Sequence, residues 1–591
     1  MKLFGNTLRS QIGGRFEKLY GLSEGNRCLE RLEAMIGRYG VGLDMMAPQQ
    51  LWDEKDAVLI TYGDMVSDET EPPLQTLANF LDEFCHGAVN TVHVLPFFPY
   101  SSDDGFSVID YGTVNPLLGG WDDIQRIAKK FRLMVDLVLN HVSRESRWFQ
   151  DYVSGISPCR RFFIEMAPGT DLSAVMRPRS GPILHRINTR EGLRHVWTTF
   201  SSDQIDLNFA NPDILFEFLD ILFLYISKGA QVLRLDAIAY LWKKAGTACI
   251  HLPEVHEIVK LFRDVLEIVA PHVMILTETN VPHQENISYF GDGDEAHAVY
   301  QFALPPLLLH ALLTGNAAYI TRWAQTLDEP PPGCTFLNFT ASHDGIGVRP
   351  LEGLLPEGEV QAVLERVSER GGKVSYKRDT DGSESPYELN ITYLDALRDS
   401  TEPGTFCSID IERFLCSQTI VLSLKGIPAI YFHSLFGTTN NHDEVERTGR
   451  ARAINRKKWN ERELRNLLQD DESLNARIYR EYVRLLQLRG DHAAFHPDGR
   501  QIVFSVSPRC FVFERVSPDE TERILVVSNL SREVCSLPAA ELPSQFLPLE
   551  ECSDLISGIC CNDSSKALIV EPYQTVWLAK PLDAWRQDGS R

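Results

Sequence analysis

Eight short runs rich in apolar, β-favouring residues recur along the chain, at 57–62, 91–97, 132–140, 231–238, 273–279, 298–304, 335–339 and 427–432. Most are nearly continuous in apolar character rather than alternating, the pattern of parallel strands covered on both faces. Helical periodicity fills the spaces between them. Asn211-Pro212 reads as a cap followed by proline at the first helical position, with Leu215, Phe218, Leu222 and Tyr225 at helical spacing and Gly229 to close. Ile124, Ile127, Ala128 and Phe131 mark a second amphipathic face, and Ile258, Phe262, Val265 and Val269 a third. Eight strand-then-helix units predict an α/β chain folded as a (β/α)8 TIM barrel, with an open doubly wound sheet as the alternative.

The rhythm breaks in four places. Residues 1–50 read as an N-terminal helical extension. The barrel is then expected in three parts, 51–141, 203–345 and 409–490. Between these lie two inserted loop-rich subdomains, 142–202 after the third strand and 346–408 after the seventh. The first holds Pro158, Pro168, Pro178 and Pro182 with little periodicity. Residues 491–591 carry short runs at 501–506, 510–515, 523–528, 567–571 and 575–580, which predict a C-terminal antiparallel β-sheet domain. Neither an internal repeat nor a long low-complexity tract is visible.

Composition narrows the function classes. The 591 residues are 43% hydrophobic and 24% charged, an ordinary globular mix, and 58 Lys+Arg against 81 Asp+Glu give a net charge of −23. That balance argues against a nucleic-acid partner. The apolar stretches are too short or too interrupted for a membrane span. The first twenty residues show no secretory pattern, so a cytoplasmic location is expected, as a monomer or homodimer. The 12 Cys are scattered without zinc-site spacing and read as buried structural thiols.

In a barrel, polar residues at the C-terminal ends of strands build the site. Strand three ends in Asp136 to Asn140-His141, strand four in Arg234-Leu-Asp236, strand five in Glu278-Thr-Asn280 and strand seven in His343-Asp344. Singly, a strand-ending Asp is ordinarily a turn or cap residue and a lone His a satisfied core residue. Together, three carboxylates delivered to one mouth suit glycosyl transfer with retention, which needs one ionised nucleophile and one protonated donor. Arg234, two positions before Asp236, shares its face and is placed to keep it ionised.

DLVLNH, LRLDA, TETN and TASHD resemble, in order and spacing, the four motif regions of the α-amylase family of retaining glycosidases. The resemblance implies Asp236 as nucleophile, Glu278 as general acid and base, and Asp344 as the third carboxylate, with His141, Arg234 and His343 around the sugar. PFFPYSSDDGFSVIDY, WKKAGTACIHLP, FALPPLLLHALLTG, SHDGIGV and ARAINR are similar to the sucrose-phosphorylase subfamily over roughly 57–489. That implies a clamp of Asp104 and Arg452 on the glucose 4-hydroxyl, with Phe106 and Phe200 as aromatic walls.

Phosphorolysis requires local cations, and Arg177 and Arg179 of the first insertion are the candidates, with solvated surface arginines as the plain alternative. Tyr387 of the second insertion is a further acceptor-site candidate. Asn280 stands where sucrose phosphorylases carry a His. With TETN, Trp242, CIHLP and the N-terminal extension, this resembles the glucosylglycerate phosphorylases of the subfamily. Lys243 and His283 join the arginines as candidates for a glycerate carboxylate. The resemblance implies no cofactor, with inorganic phosphate as co-substrate. Family members often bind calcium near the residue here numbered Asn140, but the phosphorylase branch does not, and no metal is expected. Rival readings are sucrose, sucrose 6′-phosphate or glucosylglycerol phosphorylase, a simple α-glucosidase, and an inactive barrel serving as a binding module.

Overall fold

The computed structural model describes residues 6–39, 50–176, 178, 181–378, 383–560 and 567–581. Eight parallel strands close on themselves: β1 (Val58–Thr61), β2 (Thr91–Val94), β3 (Arg132–Val138), β4 (Ala230–Asp236), β5 (Met274–Thr277), β6 (Ala298–Tyr300), β7 (Thr335–Asn338) and β8 (Ile427–Tyr431). Each pairs with its neighbours in sequence, and β8 returns to β1 through Val58↔Ala429. All eight expected runs are therefore the barrel staves. All eight end before their apolar runs do, and for two the cause is local. Ala237 takes a left-handed backbone (φ 50°), which breaks β4 after Asp236. Leu304 opens the helix Leu304–Thr314, because Pro305 in its first turn favours a helix start.

Helices between the staves follow the sequence pattern. Pro212–Ser227 is capped by Asn211, whose side chain accepts from Asp213 N, an arrangement worth about 1 kcal/mol. Its apolar residues are buried almost all round, between the barrel and an outer hairpin of α1 (Asn6–Tyr20) and α2 (Leu22–Tyr39). Arg15 ties α1 to the helix Pro253–Val269, 3.2 Å from Asp264 and 3.4 Å from Glu257.

The insertions carry more regular structure than their sequences suggest. The first holds a helix, Arg147–Val153, and an antiparallel hairpin, Leu184–Thr189 with Gly192–Trp197. Its two ends are zipped by pairing of His141–Ser143 with Gln204–Asp206. The second holds a helix, Glu357–Glu369, and a three-stranded antiparallel sheet of Ile346–Gly347, Glu384–Asn390 and Lys373–Arg378. These strands lack apolar runs: Ile346–Gly347 is only two residues long, and Glu384–Asn390 is largely polar although its last three residues are buried. Lys-Val-Ser-Tyr-Lys-Arg offers only Val374 and Tyr376 on one face, and Tyr376 is itself exposed.

The C-terminal domain is a five-stranded antiparallel sheet in the order Arg500–Ser507, Cys510–Val516, Arg523–Asn529, Thr575–Ala579, Ser553–Asp554. The run at 567–571 leaves this sheet and pairs with Cys535–Pro538 instead. Trp577 Nε1 donates to Ser423 Oγ at 2.8 Å, fastening the sheet to the helix that precedes β8. Among the described residues, no helix is long and apolar enough to cross a membrane.

Candidate active site

The C-terminal ends of β3, β4, β5 and β7 open into one cavity. It is lined by Asp236, Glu278, Asn280, His141, His343 and Asp344 from those ends, by Phe106 and Phe200, by Tyr387 and Glu388 of the second insertion, and by Arg452. The four motifs, far apart in sequence, thus face one another because parallel staves present their C-terminal ends on one side.

A buried charge relay crosses the mouth. His93 Nε2 lies 2.7 Å from Asp136 Oδ2, Asp136 Oδ1 accepts from Arg234 Nη1, and the same nitrogen donates to Asp236 Oδ1 at 2.8 Å. Burial raises the Asp136 pKa, but His93 and Arg234 outweigh it and hold the carboxyl down at about 2. Burial pushes Asp236 up to about 7, against the attraction of Arg234. Glu278 is likewise pushed up to about 7 by burial, against Arg234 and reinforced by the negative charge of Asp236. Arg234 Nη2 is 4.0 Å from Glu278 Oε2, so the guanidinium favours Asp236. The shorter contact with Arg234 favours ionisation of Asp236 over Glu278 within this coupled pair. The left-handed turn at Ala237 aims its N–H at Glu278 Oε2, 3.0 Å away, and orients that carboxyl.

Asp344 behaves differently. Burial opposes its ionisation, yet Arg452 at 2.6 Å, with Arg456 and Arg234, holds it far below the usual carboxylate range. His343 is driven down to about 3 by burial and stays neutral, its ring stacked on Phe106 at 4.9 Å and 5°. Phe200 packs 5.2 Å from His141, whose Nε2 lies 2.9 Å from the Phe106 carbonyl oxygen. Only a protonated Nε2 suits that contact.

The expected partnership of Asp104 with Arg452 is not what the structure contains. Asp104 does not line the cavity; it binds Arg456 Nη1 at 2.5 Å and Arg450 Nη1 at 2.9 Å. Its neighbour Asp103 lines the cavity and receives Gln204 Nε2 at 3.2 Å. The reversal is conformational: Asp103 (φ 53°) and Asp104 (φ 47°) are both left-handed, so the two side chains diverge from a tight turn. Gly105 completes it, because a Cβ there would stand 2.6 Å from Pro96 O. Three serines hold the turn in place through Asp203 Oδ2, with Ser101 at 2.6 Å and Ser107 at 2.7 Å.

At the other end, Asn280 and Tyr387 line the cavity, and Arg452 reaches from Asp344 to Glu388, 3.0 Å from its Oε1. Arg177 and Arg179 lie outside the described residues. Two other acceptor-site candidates are engaged elsewhere. His283 packs 6.2 Å from Phe336 and does not line the cavity. Lys243 is buried, its ammonium 2.5 Å from Asp206 Oδ2, 2.5 Å from Asn140 Oδ1 and 2.5 Å from Tyr240 O. These are the oxygens beside Asn140 that a calcium ion would need. They already receive a cation, so this donor set does not fit a metal in addition. Among the described residues, no cluster of three His, Cys, Asp or Glu side chains is arranged to hold one.

Asp103, Gln204 and Glu388 are cavity residues that sequence reading missed. Asp103 adjoins the residue chosen from the same motif, and only the turn separates them. Glu388, beside Tyr387, sits in a strand that looked like loop. Gln204 has no motif around it, and its place follows from the pairing of His141–Ser143 with Gln204–Asp206.

A closed parallel barrel with three carboxylates and an arginine at the strand ends defines a glycoside-cleaving or glycosyl-transferring barrel. Comparison with known proteins gives the family. The alpha amylase catalytic domain matches residues 78–327. The glucosylglycerate phosphorylase of Spirochaeta thermophila is 49% identical over 96% of this chain and 97% of its own. That of Escherichia coli is 40% identical over 97% and 100%. The crystal structure of sucrose 6F-phosphate phosphorylase from Thermoanaerobacter thermosaccharolyticum superposes with a TM-score of 0.70 at 24% identity, covering 83% of this chain and 96% of that one. The chain belongs to the α-amylase family, in the branch that holds the glucosylglycerate phosphorylases.

Proposed function

We propose that the protein is a retaining glycoside phosphorylase that converts 2-O-α-D-glucosylglycerate and inorganic phosphate to α-D-glucose 1-phosphate and D-glycerate. One observation carries the chemistry: Arg234 bonds Asp236 at 2.8 Å and stands off from Glu278, so two buried carboxyls divide into nucleophile and acid. Asp236 attacks the anomeric carbon and forms a β-glucosyl ester, while Glu278 gives its proton to the departing glycerate oxygen. Phosphate then attacks from the vacated side as Glu278, now ionised, accepts its proton, and the α-configured product leaves with Asp236 free again. Asp344, ionised by Arg452, is placed to bind sugar hydroxyls and to stabilise positive charge at the anomeric carbon. Asp103, Phe106, His141, Phe200 and His343 are the proposed walls of the glucose subsite.

The identity of the leaving acid is supported by near full-length similarity to proteins named for that substrate, and by Asn280 at the acceptor end. Arg177 and Arg179 remain the proposed phosphate and carboxylate ligands. We propose no resident cofactor or metal. The free thiols of the eleven described cysteines suit the reducing cytoplasm, where we place the protein as a monomer or homodimer.

Acceptor screening in the synthetic direction tests the reading. With glucose 1-phosphate as donor, D-glycerate is expected to release phosphate far faster than fructose, fructose 6-phosphate or glycerol. Preference for fructose would make the protein a sucrose phosphorylase.

A further inference from the structure

Gly345 and Gly347 pass the acceptor end of the cavity two residues apart, and both line it. The strand Ile346–Gly347 pairs antiparallel with Glu384–Asn390, Gly347 opposite Glu388 and Ile346 opposite Leu389. Neither glycine adopts a left-handed backbone, so conformation does not demand glycine at either position. Space does. A Cβ on Gly347 would lie 2.8 Å from both Nδ2 and Oδ1 of Asn280, and one on Gly345 would lie 2.5 Å from Glu388 Cγ and 2.6 Å from Leu389 O. Non-bonded heavy atoms need about 3.5 Å. The two glycines are thus a strip of bare backbone on which the side chains of Asn280 and Glu388 are laid.

One of the two is left unsatisfied. Asn280 Oδ1 is buried and has no hydrogen-bond partner. A buried carbonyl oxygen left bare beside a cavity costs stability unless a ligand donor completes it. Glu388 is already engaged, accepting from Gly345 N at 2.5 Å and from Arg452 Nε at 3.2 Å. The bare Asn280 oxygen is thus the free acceptor at this end, and it suits a donor on the ligand such as a hydroxyl.

We infer that Gly347 is a positioning residue for acceptor selection: it admits the Asn280 amide to the acceptor end, where Oδ1 takes a hydrogen bond from the free hydroxyl of a short hydroxy acid. The inference rests on the function proposed above. The carboxylate of that acid faces away from this strip, toward cations supplied elsewhere. Any side chain at 347 would push the amide into the space the acid occupies.

The test is steady-state kinetics of the purified full chain in the synthetic direction, varying D-glycerate and glucose 1-phosphate separately, for wild type, Gly347→Ala, Asn280→Ala and the double variant. Loss of one hydrogen bond is expected to raise KM for glycerate about 5- to 10-fold in each single variant. KM for glucose 1-phosphate should stay within about twofold, and the double variant should be no worse than either single one, as expected of residues acting through one contact. Gly358→Ala, where a Cβ meets nothing within 4 Å, is the control for an added methyl. An unchanged glycerate KM in Gly347→Ala, or effects that multiply in the double variant, overturns the inference. Should Gly347→Ala fail to fold, Asn280→Gly/Gly347→Ala must restore the folded chain, and failure to do so overturns it equally. A wild type that makes no product with glycerate sinks the underlying function instead.

Discussion

Arg234 donates to Asp236 across 2.8 Å within one strand, two residues apart and on one face. The contact favours ionisation of Asp236 over Glu278, two carboxyls both lifted to about 7 by burial. Lysine at 234 would keep a charge but lose the planar fork that serves Asp136 and Asp236 together. Arg234→Lys is expected to lower kcat/KM at least about 100-fold. Since Arg234 lowers the Asp236 pKa, the acid limb of the pH–rate profile should move to higher pH. An acid limb that stays in place would show that Arg234 does not govern ionisation.

The raised Glu278 pKa makes the site a cost to the fold. Its unfolded value is about 4.3, so between that and about 7 the native state binds more protons than the unfolded one. The stabilising contribution is complete below the unfolded value and lost as pH rises through the folded one. Glu278→Gln removes the liability. Its melting temperature should match wild type near pH 4.5 and exceed it by about 1 to 3 °C at pH 8, read by calorimetry. A difference that shrinks toward alkaline pH would contradict the sign.

Asp103 and Asp104 differ in what they touch. Asp103→Ala should raise KM for the glucosyl donor about tenfold or more with little change in melting temperature. Asp104→Ala breaks the pairs with Arg450 and Arg456 and should act through stability of the turn. Donor titrations and melting curves on both variants separate the roles, and a larger donor effect in Asp104→Ala would reverse the assignment.

Lys243 fills a polar hole. Lys243→Ala leaves the fully buried Asp206 carboxylate without its cation and should cost about 3 to 5 kcal/mol. Dialysis against a chelator should leave wild type unchanged, whereas added calcium should recover part of the loss in the variant by supplying a cation to the same oxygens. Wild-type activity lost on chelation would overturn this view of the site.

The barrel was readable because parallel staves are apolar on both faces, and each of the eight runs became a strand. The catalytic set was readable for a related reason: a carboxylate closing an apolar run is conspicuous, and Asp236, Glu278 and Asp344 all do so. Asp103 was not, because two adjacent aspartates in one turn look alike until the left-handed backbone sends their side chains apart. The strand bearing Glu388 was not either, since it is largely polar and lacks an apolar face to reveal its period. Gly347 carries no side chain, and its role is visible only as the distance to Asn280.

The central claim is glucosyl transfer from glucosylglycerate to phosphate through Asp236. Glucose 1-phosphate should be measured with purified protein given glucosylglycerate or sucrose, each with and without phosphate, for wild type and Asp236→Asn. The account predicts product from glucosylglycerate only when phosphate is present, little from sucrose, and at least about a thousandfold loss in the variant. Release of free glucose at the same rate without phosphate, or near-normal turnover by Asp236→Asn, would contradict it.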